Sequence, residues 1–303
     1  MSVLMHPTYL PFTEQQLRMH FVDVASGGEA DRHLAYYRSS LKDAATYAEQ
    51  LAESTSPTVT TARGLQLQKD ERFWVVSALM SIFHGADPIA ELCGLLTRCF
   101  GPTPSLEGAT SWQDALGPDP KLYFEVNLPS PREYRKDLAD RLDERVLIPH
   151  MRTSALASGA RLEGATKVDA MLVSSTGFAV AFEAKVLSDA STSVRYDVLH
   201  NQLARNVDVL LEANPQLSTP LDVRLPERTF LALITPEVFK KHPSSRLYGW
   251  LMPRYQDAES RLLNEHLPRR NDDVLAAVSQ RLAWISWEDI NLVHPGACSR
   301  LLA

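Results

Sequence analysis

The fold is decided by the stretch KVDAMLVSSTGFAVAFEAK, residues 167–185. It contains two strand-like runs, 167–174 and 178–186, separated by Ser-Thr-Gly, and this spacing predicts an antiparallel β-hairpin. A three-residue loop with Gly177 in the left-handed conformation fixes the pairing register. In that register, Asp169 of the first strand lies directly opposite Glu183 of the second.

Charged side chains interrupt this otherwise apolar hairpin. The period of two along a strand puts Glu183 and Lys185 on one face, while the alternate positions are large and apolar and face the core. Opposed carboxylates such as Asp169 and Glu183 repel, and buried ionisable groups cost several kcal/mol unless they are compensated. A divalent cation bound to both carboxylates removes this penalty, because Mg²⁺ and Mn²⁺ prefer oxygen ligands. An ion pair between Lys185 and either acid is the simpler alternative.

The rest of the second half alternates between helices and strands. A β-like run over 122–126 precedes a charged helix that starts at about residue 132. After the hairpin the patterns predict a helix over about 194–212, a strand over 229–234, helical material over roughly 244–281 and a last strand over 282–287. This order predicts an α/β fold with a central mixed sheet flanked by helices.

The sequence patterns of the N-terminal third predict an all-helical domain. A capping box at Thr13 opens a first helix, and helical patterns follow over 28–53, 69–84 and from residue 87. Residues 101–120 contain four prolines and three glycines, the composition of a linker. We therefore predict a helical domain over 1–110 and a second domain over 121–303.

Composition excludes some classes of protein and leaves others open. The longest nearly apolar run, 73–83, contains two serines and is too short to span a membrane. Three cysteines cannot complete a disulfide framework, and the N-terminus has no signal-peptide pattern, so we expect a cytoplasmic protein. The net charge of −6 comes entirely from residues 1–120, which carry 8 basic and 14 acidic residues. Net charge therefore neither supports nor excludes a nucleic-acid partner.

At the hairpin the chain resembles the PD-(D/E)xK nuclease superfamily. The family pattern is an acidic residue, a hairpin, and then Glu or Asp, any residue, and Lys. Here it reads Val168-Asp169-Ala170 followed by Glu183-Ala184-Lys185, with Val168 in place of the usual proline. The resemblance covers about residues 125–235, and the predicted order of helices and strands agrees with it.

The resemblance implies a restriction-endonuclease-like core and a metal site within it. Asp169, Glu183 and the carbonyl oxygen of Ala184 would hold Mg²⁺ or Mn²⁺ as the cofactor. Lys185 would position or deprotonate the attacking water. A cation at this place offsets charge in the transition state and lowers the pKa of its bound water.

Other site residues are expected on two helices. Many members of the superfamily carry a further Glu on the first core helix, and the candidates here are Glu133, Asp140 and Glu144, of which we favour Glu144 as a metal ligand. Several branches carry a Gln, Arg or Tyr on the helix after the hairpin. Gln202 and Arg205 match that use, because they are three residues apart and share a helix face. For all of these positions, a solvated helix surface is the alternative.

The predicted function is therefore metal-dependent hydrolysis of phosphodiester bonds, with a role in restriction, repair or phage defence. DNA is favoured over RNA as the substrate by family frequency alone. The helical domain is expected to be a regulatory or partner-binding module, and dimeric relatives make a homodimer a further expectation. The alternative is a non-catalytic nucleic-acid-binding or scaffold protein that retains the nuclease fold and satisfies these charges internally.

Overall fold

The fold is built around a five-stranded mixed β-sheet. In the computed structural model, which describes residues 12–21, 35–36, 69–158 and 162–298, the strands follow one another across the sheet in chain order. They are β1 (Lys121–Leu128), β2 (Thr166–Val173), β3 (Ala179–Ala184), β4 (Thr229–Thr235) and β5 (Leu282–Ser286). Strands β1 to β3 are antiparallel and β3 to β5 are parallel. The predicted α/β class with a central mixed sheet is confirmed.

Helices cover both faces of this sheet. They are α1 (Glu14–Met19), α2 (Glu71–Phe83), α3 (Pro88–Phe100), α4 (Trp112–Leu116), α5 (Arg132–Asp140), α6 (Leu142–Arg145), α7 (Pro149–Ser158), α8 (Gln202–Leu210), α9 (Glu237–Lys241), α10 (Leu247–Gln256), α11 (Leu262–His266), α12 (Asp272–Ser279) and α13 (Trp287–Val293). Helices α2 and α3 pack on one face, and α8 and α10 pack on the other. Strands β3 and β4 are buried throughout because both faces are covered. None of the helices in the described ranges is long and apolar enough to cross a membrane.

The hairpin of β2 and β3 has the predicted register. Ala170 pairs with Phe182, and these are the neighbours of Asp169 and Glu183 on the side of the loop. The Ser174 N–H donates to the Phe178 carbonyl at 3.0 Å and closes a three-residue loop, in which Gly177 has a φ of 82°. The loop therefore determines which side chains face each other at the far end of the hairpin.

Replacing this glycine tests the turn. A Cβ at position 177 would lie 2.7 Å from Leu225 Cγ and 3.2 Å from the Val223 carbonyl oxygen, and a positive φ strains any L-residue. We expect Gly177→Ala to lower the free energy of unfolding by about 2–3 kcal/mol in urea denaturation. Gly164→Ala, which has no heavy atom within 4 Å of its Cβ, is the control and is expected to stay within about 0.5 kcal/mol of the parent. Equal stability of the two variants would contradict the role given to the loop.

Two N-terminal helices pack directly on the sheet. Helices α2 and α3 lie close to their predicted positions, with Asp70 and Asp87 as their N-caps. Helix α2 is largely buried and contacts both β2 and β3. The helix predicted over 28–53 falls outside the described residues apart from 35–36. The division between 110 and 121 stays a prediction, and this shared core extends across it.

The helix after the hairpin starts later than predicted. It was expected from about residue 194, but α8 begins at Gln202. Asn201 caps it, because its side chain accepts a hydrogen bond from the Ala204 N–H at 3.0 Å. Residues 194 and 197 instead form an isolated antiparallel bridge. The segment between β3 and α8, residues 185–201, is therefore irregular and lies beside the candidate site.

Candidate active site

Three carboxylates lie in a row across neighbouring strands, at the end of the sheet where β2 begins and β3 ends. The two antiparallel ladders that flank β2 place Glu125 on β1 and Glu183 on β3 on either side of Asp169. The backbone at Glu125 has a φ of 55°, and the β1–β2 ladder skips this position. A left-handed non-glycine residue costs about 1–3 kcal/mol and is typical of sites where function constrains the backbone.

The surroundings of Asp169 disfavour the charged form of its carboxyl group. It is half-buried and lines a cavity of about 680 Å³ together with Glu71 and Glu125. Its Oδ2 accepts a hydrogen bond from the Ala184 N–H at 2.7 Å. Burial, and then the charge of Glu183, raise the pKa of Asp169 well above its ordinary value, although nearby positive charge opposes the shift. A cation at this carboxylate would favour its ionised form.

Glu183 is buried, and both of its carboxylate oxygens accept hydrogen bonds. Oε1 lies 2.6 Å from Lys185 Nζ and 2.5 Å from Gln202 Nε2, and Oε2 lies 2.8 Å from Asn206 Nδ2. Gln202 and Asn206 are four residues apart on α8, so both amides reach the same carboxylate. Gln202 was predicted near the site. Asn206 was not, although its spacing from Gln202 is a signal that would have found it.

Lys185 is buried between two acids. Its Nζ lies 2.6 Å from Glu183 Oε1 and 3.7 Å from Glu71 Oε2. Burial by itself would lower the pKa of Lys185, but the charges of Glu183, Glu71 and Asp169 outweigh burial and the pKa is raised. The ammonium group is therefore protonated at neutral pH.

Glu71, the first residue of α2, is a site residue that sequence reasoning missed. Its Oε1 accepts hydrogen bonds from the Val186 N–H at 3.2 Å and from the Ser188 hydroxyl. Its Oε2 is the atom that approaches Lys185. Helix α2 belongs to the region predicted as a separate domain, so no local pattern linked this residue to the hairpin.

The structure does not bring the predicted helix acid Glu144 to this group. Glu144 is exposed, and its Oε2 accepts a hydrogen bond from Arg141 Nη2 at 2.6 Å. Its helix, α6, packs against α5 and α7. The other two candidates on this stretch, Glu133 and Asp140, are exposed as well. The acid that approaches Lys185 from a helix is Glu71.

Arg205 is held away from the acids by the segment that precedes β2. Its Nη2 lies 2.5 Å from Glu163 Oε1 and donates to the Ala165 carbonyl at 3.0 Å. Of the two residues predicted on the helix after the hairpin, Gln202 therefore contacts Glu183, and Arg205 lines a neighbouring cavity.

The charges of the site do not balance. The cavity lining, taken together with Glu183 and Lys185, has one more carboxylate than cationic groups: Asp70, Glu71, Glu125, Asp169 and Glu183 against Lys69, Arg72, Lys167 and Lys185. Oxygen donors with an excess of negative charge suit Mg²⁺ or Mn²⁺, so the residue types fit such a cation. Across the described ranges, however, no three His, Cys, Asp or Glu side chains already converge on one point. Glu183 Oε1 already accepts hydrogen bonds from Lys185 and Gln202, so a cation at this atom would have to replace one of these donors.

Comparisons of the chain with models of protein families, with curated proteins and with solved structures found no match. The sequence motif of the hairpin and the geometry of the site are therefore the observations that bear on function. That geometry combines a pair of acids at the end of a hairpin, a buried lysine and an open cavity.

Proposed function

We propose that this protein is a metal-dependent nuclease with a restriction-endonuclease-like core, and that it hydrolyses phosphodiester bonds, with DNA as the substrate. One observation carries the proposal: Asp169, Glu183 and Lys185 meet at one end of the sheet, beside a cavity with an excess of carboxylates. The order of α5, β2, β3, α8 and β4 along the chain supports the same core. The resemblance in sequence points to the same chemistry.

The acids of the hairpin would hold the cation. Asp169 and Glu183, with the carbonyl oxygen of Ala184, are the residues that would bind Mg²⁺ or Mn²⁺. When bound, such an ion polarises the scissile phosphate and lowers the pKa of a coordinated water. Gln202 and Asn206 restrict Glu183 to one orientation through their amide groups.

Lys185 acts as a hydrogen-bond donor in this proposal. Its ammonium group would orient the attacking water and stabilise the negative charge that develops on it. If a cation replaced Lys185 at Glu183 Oε1, Glu71 would remain as a carboxylate partner for the lysine, since its Oε2 already lies 3.7 Å from Nζ. The lysine therefore keeps an anionic partner in both arrangements.

A second candidate function is supported by the hydrogen bonds of Glu183. Lys185, Gln202 and Asn206 already satisfy its carboxylate without a metal ion. A protein that retains this fold as a nucleic-acid-binding or scaffold module would need no more than these contacts. The raised pKa of Asp169 favours the nuclease, because burial and the charge of Glu183 make the ionised carboxyl unfavourable in a scaffold, whereas a bound cation would stabilise it.

Cleavage assays distinguish the two functions. Single- and double-stranded DNA and RNA are tested, and we expect the full chain to cleave DNA with Mg²⁺ or Mn²⁺ and to be inactive in EDTA. Glu183→Gln is expected to be inactive, and Glu144→Gln, which removes an exposed acid, is expected to match the parent. Absence of cleavage on every substrate would favour the scaffold. Equal cleavage by Glu183→Gln and the parent would exclude this site as its source.

A further inference from the structure

A second cavity lies at the same end of the sheet as the acids. It has a volume of about 460 Å³, and its walls come from the segment just before β2 and the segment between β3 and α8. We call it the arginine pocket and define it by Glu163, Ser191, Arg195, Gln202 and Arg205. Because β2 and β3 are antiparallel, the start of one and the end of the other bring this pocket next to the site.

Gln202 connects the arginine pocket to the acids. Its Nε2 donates to Glu183 Oε1 at 2.5 Å, while its Oε1 accepts from the Ser191 N–H at 3.1 Å. Its own backbone N–H donates to the Ser191 carbonyl at 2.9 Å. The pocket wall and the carboxylate are therefore separated by one side chain, which is fixed at both ends.

The arginine pocket has an excess of positive charge, whereas the site has an excess of negative charge. Two arginines line it with a single acid, Glu163, which pairs with Arg205 at 2.5 Å. Arg195 is exposed, and its guanidinium lies over the Tyr196 ring, 5.0 Å from the centroid. Within the described part of the chain, no carboxylate forms an ion pair with Arg195. The guanidinium of Arg195 is thus available to an anion at the opening of the pocket.

We propose that the arginine pocket binds a backbone phosphate of a polynucleotide, next to the phosphate that is cleaved. This inference rests on the proposed function and names the contact that would hold the substrate beside the acids. A polyanion is repelled by the carboxylates of the site, so its affinity has to come from neighbouring cationic groups. Arginine suits this role because its planar guanidinium binds phosphate oxygens in pairs. Arg195 is the binding residue, because the charge of Arg205 is already balanced by Glu163.

Equilibrium binding of DNA tests the proposal without a cleavage readout. Binding of a fluorescein-labelled single strand to the full chain is measured by anisotropy in EDTA at several salt concentrations. We expect Arg195→Ala to weaken binding about tenfold and to reduce the slope of log affinity against log salt by about one, the loss of one phosphate contact. Circular dichroism confirms that the variant is folded.

Arg254→Ala is the matched control, because Arg254 is also exposed and lies over an aromatic ring, 4.5 Å from the centroid of Trp250, but outside the pocket. We expect this variant to bind as the parent does. Equal affinity of parent and Arg195→Ala, or equal losses in the two variants, would overturn the proposal, as would a parent that binds no DNA. Binding that depends on Arg195 without any cleavage in Mn²⁺ would support the pocket and contradict the proposed nuclease. Cleavage by Arg195→Ala at the rate of the parent would support the proposed nuclease and contradict the role of the pocket.

Discussion

Asp169→Asn is expected to abolish nucleic-acid cleavage and, at the same time, to make the fold more stable at neutral pH. Activity is expected to fall by about 10³-fold, because a metal ligand and its charge are lost. Stability is expected to rise by about 1 kcal/mol, because the repulsion between opposed acids on neighbouring strands disappears. The amide oxygen of Asn can still accept the hydrogen bond from the Ala184 N–H. Loss of function with a gain of stability is the signature of a carboxylate kept for chemistry.

The gain in stability is expected to depend on pH in a defined direction. Because the pKa of Asp169 is raised in the folded state, the folded state binds the proton more tightly than the unfolded state does. The destabilisation caused by ionised Asp169 is therefore absent below the ordinary pKa of an aspartate, grows as the pH rises, and is complete above the raised pKa. The stability difference between Asp169→Asn and the parent is expected to widen over the same window, in urea denaturation at a series of pH values.

Glu144→Gln is the control for both cleavage and stability, since Glu144 is an exposed acid on α6. It is expected to leave cleavage and the free energy of unfolding within error of the parent. An Asp169→Asn variant that is less stable than the parent at neutral pH would show that the carboxylate is a structural partner. A variant that still cleaves would remove Asp169 from the metal site.

Lys185→Met is expected to cause losses of both activity and stability. Removing the ammonium group leaves Glu183 buried without its cationic partner, which is expected to lower the free energy of unfolding by about 3 kcal/mol. Cleavage is expected to fall by about 10²–10³-fold, because the ammonium group that orients the attacking water and helps to stabilise its developing charge is lost. Urea denaturation and initial cleavage rates measure the two effects.

A double variant separates the two roles of the lysine. Lys185→Met combined with Glu183→Gln removes both charges, so we expect it to regain most of the lost stability while remaining inactive. Lys241→Met is the matched control, because Lys241 forms an exposed pair with Glu237, 3.0 Å apart within one helix, and its loss is expected to cost no more than about 0.5 kcal/mol. Stability that does not return in the double variant would contradict the buried ion pair as the cause.

The part of the site that is local in sequence could be predicted. The loop at Gly177 fixes the register of β2 and β3 over a few residues, so the opposition of Asp169 and Glu183 follows from spacing alone. Gln202 was expected from the resemblance to the superfamily, and it contacts Glu183, whereas Arg205, expected on the same ground, pairs with Glu163. Alternation along the strands and the length of the loop are enough for the two acids.

The rest of the site depends on contacts between distant segments. Glu71 reaches Lys185 because α2, more than a hundred residues away in sequence, packs on one face of the sheet against β2 and β3. Glu125 joins the row through an irregular backbone position in β1, which breaks the alternation that a strand pattern assumes. Glu144 was favoured because of its place in the order of elements, but its side chain lies on the exposed side of α6. Tertiary packing decided all three positions.

The most direct test of the account is whether the acids of the hairpin bind a divalent cation in the absence of nucleic acid. The full chain is titrated with Mn²⁺, and the free ion is followed by its electron paramagnetic resonance signal. The account predicts that the parent and Glu144→Gln remove Mn²⁺ from solution at one site per chain, and that Asp169→Asn and Glu183→Gln do not. A parent that binds no Mn²⁺, or variants that bind it as well as the parent does, would contradict it.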